Sequence, residues 1–222
     1  MNYFLHLGDC YQILPTLDLS KYDRIVFACD PPYEVQSGGS DREYFKCLHS
    51  DGLSTGFDFS VFDLVPQAGA VLTFCSKPQR LKLETWLATR FHRVEELRWN
   101  KLNSAPWFNK CYPTDFEPWL HAWKEGFHPV GDYDDLRTHI STKAGGKSGL
   151  GHPTVKPLQV MRKAMRPLRG VELVIDPFMG TGTTGVVCQE MGIDFIGIEI
   201  NEIYFETAKQ RLEKGVDTLF KI

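Results

Sequence analysis

The sequence predicts an α/β fold, a mostly parallel central sheet with one antiparallel strand and helices on both faces. Three observations carry this expectation. Short apolar runs, Ile25 to Cys29, Ala70 to Cys75 and Leu173 to Ile175, have the uninterrupted character of strands buried on both faces. Strand-like runs alternate with stretches of helical spacing, the pattern of a sheet joined by crossover helices. Glu117 to Trp123 alternates enough to be an antiparallel strand.

Taken in order, Tyr3 to Leu7 reads as a short strand, and Gly8-Asp9 turns it into an amphipathic helix carrying Ile13, Leu14 and Leu17. The next strand, Ile25 to Cys29, ends in Asp30-Pro31-Pro32-Tyr33. Two prolines cannot continue a ladder, so the chain leaves the sheet there as stiff, extended backbone that keeps its carbonyls. Residues 34–59 are polar and Gly-rich, and a segment of this length reads as a lid, a binding loop or else disordered chain. After Ala70 to Cys75, Ser76 and Pro78 open a helix through Leu83, Trp86 and Leu87. Val94 to Trp99 is a further strand, followed by a loop in which Pro106, Trp107, Phe108 and Lys110 interleave rings and a base. Residues 124–151 are polar, with a Gly-Lys-Ser that lacks the spaced glycine and preceding strand of a phosphate loop. Pro157 begins a helix with an apolar face of Leu158, Met161, Met165 and Leu168, beside a stripe of Arg162, Arg166 and Arg169. Leu173 to Ile175 ends in Asp176-Pro177-Phe178-Met179-Gly180-Thr181-Gly182-Thr183-Thr184, and a helix runs from Thr183 to Met191, stopping at Gly192. The strand Asp194 to Ile198 is closed by Glu199, and Asn201 caps a last helix through Phe205, Ala208 and Leu212.

At 222 residues and 42% hydrophobic, the chain is expected to form one domain, residues 1–222, neither disordered nor fibrous. Six scattered cysteines show no disulfide or metal spacing, and no run is long enough to span a bilayer, so a reducing, cytoplasmic protein without metal or membrane is expected. The net charge of -3 disfavours a polyanionic partner only on average. From Leu136 to Val171 there is no acid, while Arg137, Lys143, Lys147, Lys156, Arg162, Lys163, Arg166 and Arg169 all fall inside. That stretch reads either as a phosphate-facing surface or as a solvated basic face.

Val174 to Glu199 has the physics of a nucleotide-binding βαβ unit. Glycines let backbone approach a ligand at a helix start, and an acid ending the next strand can take both ribose hydroxyls. The third glycine of the dinucleotide fingerprint is missing, which favours a nucleoside ligand without a pyrophosphate. Structural readings compete at each position: Asp9 and Glu199 as helix caps, Thr184 as a partner for free amides at its own helix start, Asp-Pro-Pro as a solvated turn.

In their order, however, Gly8-Asp9, Asp30 to Tyr33, His152-Pro153-Thr154-Val155-Lys156-Pro157, Asp176 to Thr184 and Glu199 resemble the amino-group DNA methyltransferases that use S-adenosylmethionine, in the permuted arrangement called the beta class. The resemblance implies a Rossmann-like methyltransferase fold. It implies cofactor contacts from Asp9, Cys10, Asp30, His152, Pro153, Thr154, Lys156, Asp176, Phe178, Gly180, Thr181, Gly182, Thr183, Thr184, Glu199 and Ile200, and catalysis by Asp30, Pro31, Pro32 and Tyr33. The partner implied is double-stranded DNA, with Lys110, Arg137, Lys143, Lys147 and Arg162 as candidate DNA contacts and homodimers a common habit of the family.

An exocyclic amine is a poor nucleophile because its lone pair is delocalised into the ring. If Asp30 and the Pro31 carbonyl each accept an amine hydrogen, the lone pair turns toward the methyl donor, while Tyr33 stacks a base flipped out of the duplex. In the family that the chain resembles, Asp at the first motif position usually accompanies adenine, whereas Ser is more often found with cytosine. Thr181 stands where serine is usual, and 124–151 is short for a target-recognition segment. A cytosine 4-amino enzyme, an RNA methyltransferase and a catalytically silent binding subunit are the alternatives.

Overall fold

The structure is a computed structural model that describes residues 1–34, 55–104, 112–113, 115–144 and 155–215. Eight strands form one sheet: β1 (Tyr3–Leu7), β2 (Ile25–Cys29), β3 (Ala70–Phe74), β4 (Arg93–Lys101), β5 (Phe116–Trp123), β6 (His139–Thr142), β7 (Leu173–Asp176) and β8 (Asp194–Glu199). Their order across the sheet is β1-β8-β7-β2-β3-β5-β4-β6. Only β5 opposes its neighbours: it runs antiparallel to β3 and β4, and the other pairs are parallel. The expected sheet, mostly parallel with Glu117 to Trp123 reversed, is therefore the one formed.

Among the described residues five α-helices flank it: α1 (Cys10–Ile13), α2 (Lys77–Ala88), α3 (Leu158–Met165), α4 (Thr183–Met191) and α5 (Glu202–Lys214). On one face Met161, Met165, Val187 and Leu212 of α3, α4 and α5 cover Val26, Leu72, Phe74 and Val174. On the other, Cys10, Leu14, Leu83 and Leu87 cover Ile25, Phe27, Val71 and Ile175. The central strands β2 and β3 are buried at every position, which explains why their sequences are unbroken apolar runs rather than alternating ones.

Local chemistry accounts for the boundaries. Ser76 and Gln79 exchange the two hydrogen bonds of a capping box at the start of α2, with Pro78 in the first turn. The first helix is shorter than its apolar spacing suggests. Pro15 has no N–H to donate, so the chain tightens after Ile13 into a 3₁₀ turn over Leu14–Thr16. The small edge strand β6 departs from the sequence expectation, because His139-Ile140-Ser141-Thr142 lies in a polar stretch and carries one apolar side chain. It is held by pairing with β4 and by a hydrogen bond from Trp99 Nε1 to Thr142 Oγ1 at 3.0 Å.

Most of the 34–59 loop, the aromatic loop with Lys110, and the segment holding Lys147, His152, Pro153 and Thr154 lie outside the described residues. The ends of the first of these meet, since Glu34 and Thr55 form an antiparallel bridge. Among the described residues no helix is long and apolar enough to cross a membrane, and no group of three or more acids, histidines and cysteines is placed to hold a metal.

Candidate active site

The parallel strands end on one side, and the acids singled out in the sequence follow four neighbours there: Asp9 after β1, Glu199 ending β8, Asp176 ending β7 and Asp30 after β2. Adjacent strands lie about 4.8 Å apart, so Asp30 and Glu199 are separated by roughly 10 Å, the scale of a nucleoside. Open α/β sheets bind ligands at this edge because the strand ends and loop amides converge there.

The glycine-rich loop after β7 is shaped by its own backbone. Gly180 and Gly182 take φ of 52° and 81°, left-handed values that suit glycine. Glu199 ties this loop to the next one: Gly180 N–H donates to its Oε2 at 2.7 Å and Asn201 N–H to its Oε1 at 2.8 Å. Asn201, not Glu199, caps α5. Asp9 does cap α1, accepting from Tyr11 N at 2.9 Å. Cys10 beside it is buried, and burial, with Asp9 nearby, pushes its thiol up to about 12, so it packs as an apolar group. Phe178 is half-buried and meets the Phe57 ring edge-on at 5.2 Å, which docks the chain at the end of the 34–59 loop against the glycine loop. Ile200 at the rim is 72% exposed.

Thr181 and Thr183 are held from behind. The buried Arg211 of α5 donates to the Thr181 carbonyl and hydroxyl and reaches the Thr183 hydroxyl at 3.5 Å. Their side chains thus anchor the loop, which leaves its amides as the groups that can approach a ligand. Nothing in the local spacing of the sequence announces Arg211, because its partners are 28 and 30 residues away. Asp176 is buried, accepts from Phe178 N at 3.0 Å and is bonded by Thr184; burial pushes its carboxyl up to about 7.

The Asp-Pro-Pro-Tyr element is braced on three sides. Gln79 of α2 donates to the Pro32 carbonyl at 3.2 Å, and the Tyr33 hydroxyl lies 2.7 Å from Asp30 Oδ1 and 2.6 Å from Glu117 Oε1. Lys156 donates to the Tyr33 oxygen at 3.0 Å, pairs with Asp30 Oδ1 at 3.2 Å and contacts Glu117 Oε1 more closely still. Lys101 pairs with Glu117 Oε2 at 2.7 Å. Two acids and two ammonium groups thus meet, and their charges cancel. Lys156 and Glu117 are sealed, while Asp30 keeps 25% of its side-chain surface open. Burial pushes Glu117 up, but Lys156 and Lys101 outweigh it and hold the carboxyl at about 2. Burial also raises Asp30, opposed by Lys156 and reinforced by Glu117.

Lys156 therefore sits beside Asp30 and Tyr33, against the Asp-Pro-Pro-Tyr element rather than on the surface. Glu117, Lys101 and Gln79 are members of the site that no sequence motif marks. In the sequence, Glu117 stands out only as the one acid on a mostly apolar strand, which is a usable sign of a buried partner.

The acid-free basic stretch is not a bare surface in three dimensions. Arg162 makes a bidentate pair with Glu190 of α4, Arg166 and Arg169 pair with Asp135, and Lys163 donates to the carbonyls of Asp134 and Asp135. Helix α4 starts at the cleft and returns toward the opposite edge, so Glu190 near its end places Arg162 away from Asp30. Arg137 precedes β6 and so also lies at the far edge; Lys143 follows β6 and lies on the cleft side.

The comparisons with known proteins agree with this architecture. The sequence profile of a family described as DNA methylase, of the N6/N4 type, matches residues 26–210. The type II methyltransferase M2.LlaDCHI of Lactococcus lactis subsp. cremoris is 25% identical over 252 residues, covering 96% of this chain and 90% of that relative. M2.DpnII of Streptococcus pneumoniae is 25% identical over 249 residues, covering 95% and 90%. Among solved structures, the M1.HpyAVI–SAM complex superposes with a TM-score of 0.70 at 25% identity, over 95% of this chain and 98% of that one. The cytosine-N4-specific PvuII DNA methyltransferase shares the fold, with a TM-score of 0.68 at 17% identity over 95% and 86%. With its sheet, its glycine loop and its Asp-Pro-Pro-Tyr element at one edge, and a profile match across most of its length, the chain belongs to the N6/N4 DNA methylase family.

Proposed function

We propose that this chain transfers a methyl group from S-adenosylmethionine to the exocyclic 6-amino group of adenine in DNA, with its motifs in the permuted beta-class order. The observation that carries the reading is Asp30: its Oδ1 is held by Tyr33 and Lys156, and the carboxylate opens to the cleft beside the glycine loop. The residues suit the cofactor, since acids on four adjacent strand ends can accept from ribose hydroxyls and an ammonium group, and the turn at Gly180 and Gly182 offers backbone at close range. Bound there, S-adenosylmethionine supplies an electrophilic methyl carbon on a sulfonium. Glu199 is assigned to the ribose, Asp9 and Ile200 to the adenine side, and Phe178 with the amides of the loop ending at Thr184 to the methionine side.

Asp30 and the Pro31 carbonyl each accept one hydrogen of the target amine, which aims its lone pair out of the ring plane, and Tyr33 presents a ring fixed by its hydroxyl. Asp30 then stands ready for the proton released as the N–C bond forms. Lys143, with Lys110 and Lys147, is assigned to DNA phosphates; Arg137 and Arg162 are left out because they stand at the far edge. The 34–59 loop is assigned as a lid, 124–151 as a target-recognition segment, and residues 1–222 as one working domain.

The test is to incubate wild type and Asp30→Ala with labelled S-adenosylmethionine and unmethylated genomic DNA, then to digest and identify the modified nucleoside. Methylated adenine that depends on Asp30 is expected, with cofactor affinity in the variant within about tenfold of wild type. Methylated cytosine corrects the base, label in structured RNA alone corrects the nucleic acid, and an active Asp30→Ala overturns the mechanism.

A further inference from the structure

Asp30 has to do two things that its neighbours set against each other. It must stay anionic in a partly closed site, which a cation beside it favours. It must also keep an oxygen able to accept from the target amine, which a cation bound too tightly would occupy. The cation present is Lys156, a buried ammonium bordered by the rings of Phe74, Tyr33 and Trp99 with centroids at 4.3, 5.5 and 5.6 Å. Rings on three sides limit where that ammonium can go, so its division between carboxylates is set by the two it touches.

We propose that Glu117 is a positioning residue that draws Lys156 away from Asp30, and that Lys101 regulates it by competing for Glu117 from the opposite side. The geometry is a relay in a line: Asp30 Oδ1 lies 3.2 Å from Lys156 Nζ, which lies closer to Glu117 Oε1, while Glu117 Oε2 lies 2.7 Å from Lys101 Nζ. Tyr33 bridges the same two carboxylates through one hydroxyl. Without Glu117 the cluster holds one net positive charge, and Asp30 becomes the sole carboxylate partner of Lys156. The other groups facing Asp30 are Tyr33 on its own segment, Asp176 at the end of β7 and the thiol of Cys29, and none of these changes when Glu117 or Lys101 is substituted.

This inference rests on the proposed role of Asp30 as the acceptor for the amine, and the two variants predict opposite signs. Glu117→Gln removes a negative neighbour, so Asp30 should titrate about 1 pH unit lower and the acid limb of kcat should move with it, with kcat falling about tenfold as Lys156 closes on Asp30. Lys101→Gln frees Glu117 to act more strongly, so the same titration should move up. Lys101 is partly exposed, so its loss is tolerated more readily than a buried change. The readout is the side-chain carboxyl carbon of Asp30, followed by NMR in ¹³C-aspartate-labelled protein and assigned with Asp30→Asn, together with kcat against pH and the affinity for S-adenosylmethionine. Opposite shifts of Asp30, with cofactor affinity within about twofold, are the expected result. An unmoved Asp30, or shifts of one sign in both variants, overturns the relay and leaves Glu117 as packing. Should Glu117→Gln fail to fold, the sign of the Lys101→Gln shift decides alone. The carboxyl titration needs no turnover, so a wild type that methylates nothing defeats the proposed function while the relay is still read.

Discussion

Asp176 illustrates how a single side chain is held at an energetic disadvantage where a ligand is expected. It is 1% exposed, with Asp30 and Glu199 as like-charged neighbours, and its carboxyl is raised from 3.8 to about 7. Below the unfolded value both states are protonated and the group is neutral in its effect. As pH rises from about 4 to 7 the unfolded chain releases the proton and the folded chain retains it, so stability falls, and above the folded value the whole penalty, about 4 kcal/mol, is present. Asp176→Asn should therefore lose less stability than wild type between pH 5 and pH 8 in urea unfolding, while Phe178 N–H keeps an acceptor. Parallel losses in the two proteins would show that Asp176 does not titrate in this range. A group that costs stability at neutral pH fits a site shaped for binding rather than for packing. The motifs of the sequence mark Asp176, Asp30 and Lys156. They do not reveal Glu117 or Arg211, because each acts through partners on other elements, Lys101, Tyr33 and Lys156 for Glu117 and the loop 28 and 30 residues away for Arg211, and spacing along the chain carries no such information.

At the scale of elements, the turn from β7 into α4 is where local conformation and tertiary packing coincide. Gly182 is the left-handed N-cap of α4, with no side-chain cap, and a Cβ placed on it would lie 3.0 Å from Ala208 Cβ and 3.3 Å from its Cα in α5. Gly182→Ala therefore combines backbone strain with a clash against an adjacent helix and should destabilise the protein by roughly 1–3 kcal/mol, measurable by chemical denaturation. Cofactor affinity should fall about tenfold in calorimetry, since the loop amides are displaced together with the turn. An unchanged affinity in folded variant protein would remove this loop from the binding site. Elements with strong local signals are legible in the sequence: the unbroken strands β2, β3 and β7, the capping box of α2 and the glycine stop of α4. Strand β6 is not, because four residues with one apolar side chain give no periodicity, and only the exposed edge of β4 makes them a strand.

For the whole molecule, charge in sequence and charge in space differ. The stretch from Leu136 to Val171 has no acid of its own, yet Glu117, Asp135 and Glu190 come from outside it to pair Lys156, Arg166, Arg169 and Arg162. Lys143, which follows β6 on the cleft side, is assigned to phosphate. Neutralising Lys143 and Lys147 together should weaken DNA binding and reduce the slope of log affinity against log salt by about 2, one phosphate contact for each charge. The slope is read from binding titrations at several salt concentrations, and an unchanged value would assign both lysines to solvent.

By itself the sequence determined the strand ends and the turns that leave them. Proline pairs, glycine turns and apolar runs are local instructions, and their order places Asp30, Asp176 and Glu199 at the carboxyl ends of strands independently of any long-range contact. Only the tertiary structure decided which charges are compensated and which face the cleft. Ion pairs form between residues brought together by the sheet order β7-β2-β3-β5-β4, in which Asp30 follows one strand while Glu117 and Lys101 stand on two others, β5 and β4. That order depends on how both faces of the sheet are covered, a property of the folded core as a whole and not of any segment within it.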